Sequence, residues 1–229
     1  MFDGIFFINS ALNVEQLSIF DNRERFNQTC ETLKSIDKHC PNSAKFIFDS
    51  SPNPVDDAYM EHISKMLNTW FIDMGSHEGV KILSMNGLRS IAECYSFMGF
   101  LTWFKEQNIV GKRIYKLSGR YTLTDNFVLD DDCYKDSFVF ANAIDSWIPV
   151  EQQKASGANK LLRLRLWHMD YKLLDTFEKS LPKIFGDCSN YHIDVEHSYW
   201  KHLHNYKVVE LDKIGVEGII APSGEYINE

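Results

Sequence analysis

Lys116-Leu117-Ser118-Gly119-Arg120-Tyr121 gathers chemistry at the point where an apolar run stops. Ile114, Tyr115 and Leu117 suit a strand, and the pattern then breaks. Gly119 admits a positive φ or a close backbone approach. Arg120 offers a planar fork of donors matched to phosphate or carboxylate, and Tyr121 a ring face and a hydroxyl. The competing reading is a β-turn carrying a surface arginine. Asn9 and Ser10 close the short apolar run GIFFI (4–8), and Asp49, Ser50 and Ser51 close KFIF (45–48). Aspartate and serine at strand ends also serve simply as turn formers.

Two acidic segments add candidates. Asp130 and Asp132 flank one residue, a spacing that lets carboxylates chelate Mg²⁺ or Mn²⁺ together with a diphosphate, though the same run reads equally as a solvated loop. In Asp194-Val195-Glu196-His197, Glu196 opens a helix, where a carboxylate facing a cleft is a natural general base for a hydroxyl. Acidic residues there also complement the helix dipole, which is the structural alternative. Four of the eight histidines lie between 192 and 204, but not at HExxH spacing, so a zinc site is not indicated. Arg163 and Arg165 share one face of LLRLRLW, either to meet a phosphate or to face solvent.

The elements that must position these residues follow from periodicity. GIFFI and KFIFD are strands on either side of a helix over roughly 23–38, capped at Asp21-Asn22 and apolar at Phe26, Leu33 and Ile36. This βαβ opening calls for parallel strands and a right-handed crossover. A helix over 54–67, a strand at 69–73, a helix over about 86–106 and the KRIYKLSGRY strand come next. The second half holds strand-like 137–141 and 161–167, helices around 170–184 and 194–204, and the strand-like runs KVVEL and VEGIIA. Pro149–Asn159 is polar without periodicity and reads as a surface loop. The pattern predicts an α/β domain with a mixed sheet, whose ligand lies beyond the carboxyl ends of the parallel strands.

Bulk properties narrow the partner. A net charge of −8 over 229 residues argues against a nucleic-acid backbone, which requires clustered Lys and Arg. Aromatics at 14% supply a core with rings left over for a cleft. Five scattered cysteines without a CxxC suit reduced thiols in a cytoplasm. MFDGIFFINSALN lacks the basic region of a signal peptide, and no run approaches a membrane span. Dinucleotide GxGxxG, P-loop and GxSxG patterns are all missing, which removes those site types.

Taken in order, GIFFINSAL, RERFNQT (23–29), FIFDSS (46–51), KLSGRYTL (116–123), VEHSYW (195–200) and IGVEGIIAPSGE (214–225) span nearly the whole chain. Together they resemble GT-A-type glycosyltransferases, and more narrowly a little-characterised bacterial and phage group, with KLSGRY the most specific piece. The resemblance implies one three-layer α/β/α sandwich around a mostly parallel sheet. Residues 1–123 would bind a nucleotide-sugar donor and 124–229 would shape the site of a saccharide acceptor, in the cytoplasm of a bacterium or of a phage host. It implies that Ser10, Arg25 and Asp49 handle the nucleoside and diphosphate, that Glu196 activates the acceptor, and that His197 is a conceivable metal or phosphate ligand. Ser118 to Tyr121 would occupy the strand end where many such enzymes carry an Asp-x-Asp metal motif. SGRY holds no carboxylate. Either Asp130 and Asp132 supply a Mn²⁺ or Mg²⁺ site, or Arg120 and Lys116 offset the diphosphate charge without metal, the option favoured here; an inactive site is the third. Rival functions are a glycan- or partner-binding module using Trp147, Trp167 and Trp200, and a nucleotidyltransferase.

Overall fold

A computed structural model describes residues 1–14, 18–129, 132–221 and 223–229. Ile5, Phe6, Phe7 and Ile8 are all fully buried, as a strand covered on both faces requires. Because side chains alternate, they feed two cores. Ile5 and Phe7 meet Phe46, Phe48, Phe97, Phe100 and Phe104, whereas Phe6 and Ile8 meet Leu33, Ile36, Ile47, Tyr115 and Leu117.

The strand carrying them is β1 (Phe2–Ser10), an interior strand of a seven-stranded sheet ordered β3-β2-β1-β4-β7-β6-β8. β2 (Ser43–Asp49), β3 (Thr69–Asp73) and β4 (Gly111–Ser118) run parallel to it. β7 (Lys160–Asp170) is antiparallel to both β4 and β6 (Phe138–Asp145), and β8 (Val208–Leu211) pairs parallel to β6. One reversed strand thus makes the sheet mixed but mostly parallel. A small antiparallel sheet of β5 (Tyr121–Leu123), β9 (Val216–Ile219) and β10 (Tyr226–Asn228) follows directly from the end of β4.

α4 (Arg89–Glu106), α6 (Leu174–Tyr191) and α7 (Val195–Leu203) cover one face of the large sheet. α1 (Asn22–His39) and α2 (Asp57–Ser64) cover the other, completing three layers. Asp21 and Glu24 cap α1 reciprocally, which fixes where the first crossover helix begins.

Three sequence expectations are extended. The helix expected over about 86–106 is α4, and a further helix the pattern did not reveal, α3 (Glu78–Met85), precedes it across a turn in which Gly87 has φ of +73°. The expected loop 149–159 contains α5 (Val150–Ser156), whose polar side chains hid it. Its glutamines work as ties: Gln152 donates to the Tyr191 carbonyl and Gln153 to that of Ile148. Arg163 and Arg165, with side chains 33% and 26% exposed, share the buried carboxylate of Glu229. Removing that carboxylate strands two guanidiniums, so Glu229→Ala should lower stability by about 1–3 kcal/mol. A urea midpoint equal to wild type would contradict this.

Candidate active site

Beyond the carboxyl ends of β1 and β4 lie two adjoining cavities. The first, of about 260 Å³, is bounded by the end of β1, by α1 and by the start of α4, and its walls include Ser10, Arg25, Arg89, Ser118, Gly119 and Arg120. The second, of about 600 Å³, spreads over β4 and β7, with Lys116, Tyr121, Trp147, Arg165 and Glu196 in its wall. Asn9, Glu93, Ser118 and Arg120 line both and form the partition.

The first cavity is cationic. Arg25 projects from the first turns of α1, is almost fully buried, and donates from Nη1 to the Ala11 carbonyl at 2.6 Å. Its Nε has no partner, and neither has the buried Nε of Arg120. Burial and the nearby Arg120 charge lower the Arg25 pKa to about 10, with Arg89 acting in the same direction and Asp49 opposing. Arg25, Arg89 and Arg120 therefore sense one another electrostatically, and none of them ion-pairs with a carboxylate among the described residues. Such a cluster is unfavourable until an anion enters it.

Asp49 stands beneath this site rather than in it. It is fully buried, lines neither cavity, and accepts from the backbone N–H of Leu12 at 3.0 Å and of Ser51 at 2.9 Å. Burial pushes its carboxyl up, while the bonds from Ser51, Ser10 and Leu12 pull it back. Its position suits holding the loop after β1 under Arg25. Asp49→Ala should cost about 1–3 kcal/mol for each backbone donor left unsatisfied, measurable as a lowered urea midpoint. An unchanged midpoint would show that the loop holds itself.

The glycine of SGRY has an ordinary φ, and its close approach is to the protein's own chain. A Cβ there would stand 3.4 Å from the Asn9 carbonyl oxygen, Ile8 Cγ2 and Thr29 Oγ1. Thr29 Oγ1 instead donates to the Gly119 carbonyl at 2.9 Å, drawing α1 against the end of β4. Tyr121 is almost fully buried in the wall of the second cavity, and the Arg120 guanidinium lies 5.9 Å over its ring.

In the second cavity Lys116 is paired, not free. Its Nζ donates to Glu93 Oε1 at 3.0 Å and to the Leu164 carbonyl at 3.1 Å. Asn9 Nδ2 donates to the same Glu93 oxygen at 3.1 Å. Glu196 sits in the first turn of α7, where burial and then the negative charge of Glu93 raise its pKa to about 7. Lys116 pulls it the other way. A carboxyl raised towards neutrality suits the task of a general base.

His197 is fully buried, lines neither cavity, and lies 3.0 Å through Nε2 from Ser146 Oγ. Asp132 is exposed and borders neither cavity, and Asp130 lies outside the described residues. Arg89 and Glu93, which sequence reasoning passed over, occupy one face at the start of α4. Their i, i+4 spacing was the available signal, masked by the apolar face of the same helix.

No protein-family model matches the chain, and no curated protein matches it. Among solved structures, that of the galactosyltransferase LgtC in complex with donor and acceptor sugar analogs has a TM-score of 0.51 at 12% identity, covering 90% of this chain and 73% of that one. The CTP:phosphocholine cytidylyltransferase LicC of Streptococcus pneumoniae has a TM-score of 0.52 at 9% identity, covering 94% and 93%. The fold is GT-A-like. At these identities the likeness is one of architecture.

A divalent cation fits this GT-A-like site poorly. The partition carries the guanidinium of Arg120, and the one carboxylate that the described residues place in the wall of the first cavity, Glu93, is held by Lys116 and Asn9. No group of three or more His, Cys, Asp or Glu able to hold a metal occurs among the described residues. The donor set is that of an anion site. No helix among the described residues is long and apolar enough to cross a membrane.

Proposed function

We propose that this protein transfers a glycosyl group from a nucleoside-diphosphate sugar to a saccharide hydroxyl. The observation that carries the reading is the meeting of Arg25, Arg89 and Arg120 in one cavity, with Glu196 in the cavity across the shared partition. The diphosphate lies among the three guanidiniums, and Ser10, Ser118 and the Gly119 backbone complete that wall. The sugar points at the partition, and the acceptor enters from the second cavity. The acceptor oxygen bonds to the anomeric carbon as the bond from that carbon to the diphosphate oxygen breaks. Glu196 takes the acceptor proton, and the arginines stabilise the charge left on the diphosphate. Residues up to about 123 supply most of the donor cavity, while the later half contributes the base and most of the acceptor wall. Since guanidiniums hold the phosphates, turnover is expected to be unchanged by EDTA; a rate abolished by EDTA and restored by Mn²⁺ would refute that assignment.

Nucleotidyl transfer is the second reading, favoured by the near end-to-end likeness to a cytidylyltransferase. Calorimetric titration with UDP-, GDP-, CMP- and TDP-sugars tests the donor site, and binding of none of them overturns the proposal. Product analysis separates the chemistries: glycosyl transfer releases the nucleoside diphosphate, whereas nucleotidyl transfer from a nucleoside triphosphate releases pyrophosphate. Saccharide binding without donor cleavage would identify a non-catalytic binding module.

A further inference from the structure

Trp147 is among the large apolar side chains left exposed, at 62%, yet it lies in the wall of the cavity that holds Glu196. Isolated exposed apolar residues need no explanation, but this one is held from several sides. The His197 ring packs edge-on to the indole at 5.2 Å between centroids. On one side of Trp147, Ser146 Oγ lies 3.0 Å from His197 Nε2, and the Ser146 backbone N–H donates to the Asn159 carbonyl at 3.0 Å. On the other, the Ile148 carbonyl accepts from Gln153 of α5 at 2.8 Å. The residues on either side of Trp147 are thus tied to α5 and α7, and the indole itself packs on His197, the residue next to Glu196. An aromatic face presented to solvent beside a general base is a surface on which the C–H face of a pyranose stacks.

The charges of the same cavity indicate what kind of sugar. Among the described lining residues, Glu93, Glu196, Glu225 and Glu229 balance Lys116, Arg120, Arg163 and Arg165. Lys116 is tied to Glu93, and Arg163 and Arg165 share Glu229, while Arg120, Glu196 and Glu225 offset the remainder, so the described wall carries no net formal charge towards the acceptor. The first cavity, by contrast, holds three arginines against the single carboxylate of Glu93 among the described residues.

We infer that Trp147 is the stacking platform for the acceptor and that the acceptor unit bound there is an uncharged pyranoside. This rests on the glycosyl-transfer reading for its role in turnover but not for binding itself. The test is tryptophan fluorescence and saturation-transfer NMR with methyl glycosides of glucose, galactose, mannose and N-acetylglucosamine, with methyl glucuronide as the anionic control. At least one neutral glycoside should bind and outcompete the glucuronide. Trp147→Ala should weaken that binding about tenfold or more, and Trp147→Phe should restore most of it. The Kd of the nucleotide sugar should not move in either variant. Binding of none of the neutral glycosides, preference for the glucuronide, or equal binding by the alanine variant would each overturn the inference. Nucleotide-sugar turnover with an acceptor KM indifferent to Trp147 would sink the platform and leave the transfer reading standing. Glycoside binding lost in the alanine variant, without any donor binding, would do the reverse.

Discussion

Glu196→Gln is expected to lower kcat about 10²–10⁴-fold, the usual contribution of a positioned general base, while the donor Kd stays at its wild-type value. The glutamine keeps the shape and loses the ability to take a proton. In the wild type the deprotonated form is the active one, so kcat should rise with pH through the carboxyl's value of about 7 and level off above it. The same substitution should act on stability in the opposite sense. Burial and Glu93 raise the Glu196 pKa from its ordinary 4.5, so the folded state holds this proton more tightly than the unfolded chain does. The contribution to stability is complete below about 4.5 and disappears as pH rises towards 7. Glu196→Gln removes that dependence, and its melting temperature should overtake the wild type progressively across this window. Loss of activity with a gain in stability above neutrality is the signature of a strained functional group. Loss of both would mean that Glu196 is a structural residue.

Arg120→Ala is expected to raise the Kd of the nucleotide sugar about 10- to 100-fold, corresponding to about 1.5–3 kcal/mol for hydrogen bonds to a charged group. The fold should tolerate the change. Arg120 pairs with no carboxylate among the described residues, and its removal relieves the repulsion that lowers the Arg25 pKa. The melting temperature should therefore hold or rise slightly without ligand, and the stabilisation conferred by the nucleotide sugar should shrink. Arg120→Lys should recover only part of the affinity, because an ammonium lacks the planar fork. Unchanged affinity in the alanine variant would remove the diphosphate from this cavity. Raised ionic strength gives an independent check, since it should weaken the wild type more than the variant.

Both substitutions address residues legible in the chain. Arg120 stands out because it follows a strand that stops at a glycine, and Glu196 because it opens a helix beside a run of histidines. The reasons attached to their neighbours fared differently. Gly119 looked like an approach to a ligand, and besides lining the first cavity it is held by Thr29 of α1. Asp49 looked like a ligand-facing strand end, and its oxygens turn inward to the Leu12 and Ser51 backbone. His197 had the chemistry of a ligand but sits in the core behind Trp147. In each instance the residue type was informative and its direction was not, because the direction of a side chain depends on elements far away in sequence.

Periodicity alone determined the α/β class and its parallel opening. A run such as GIFFI, apolar at every position, has to be covered on both faces, and an amphipathic helix between two such runs leaves a parallel crossover. Only the tertiary structure decided which charges stand alone. Lys116 and Arg165 are as cationic in sequence as Arg25 and Arg120, but Glu93 and Glu229 reach the first pair and not the second. Local sequence encodes backbone preference over a few residues. Neutralisation depends on partners that here lie 23 residues away for Lys116 and 64 for Arg165, and those meet only once the sheet has closed.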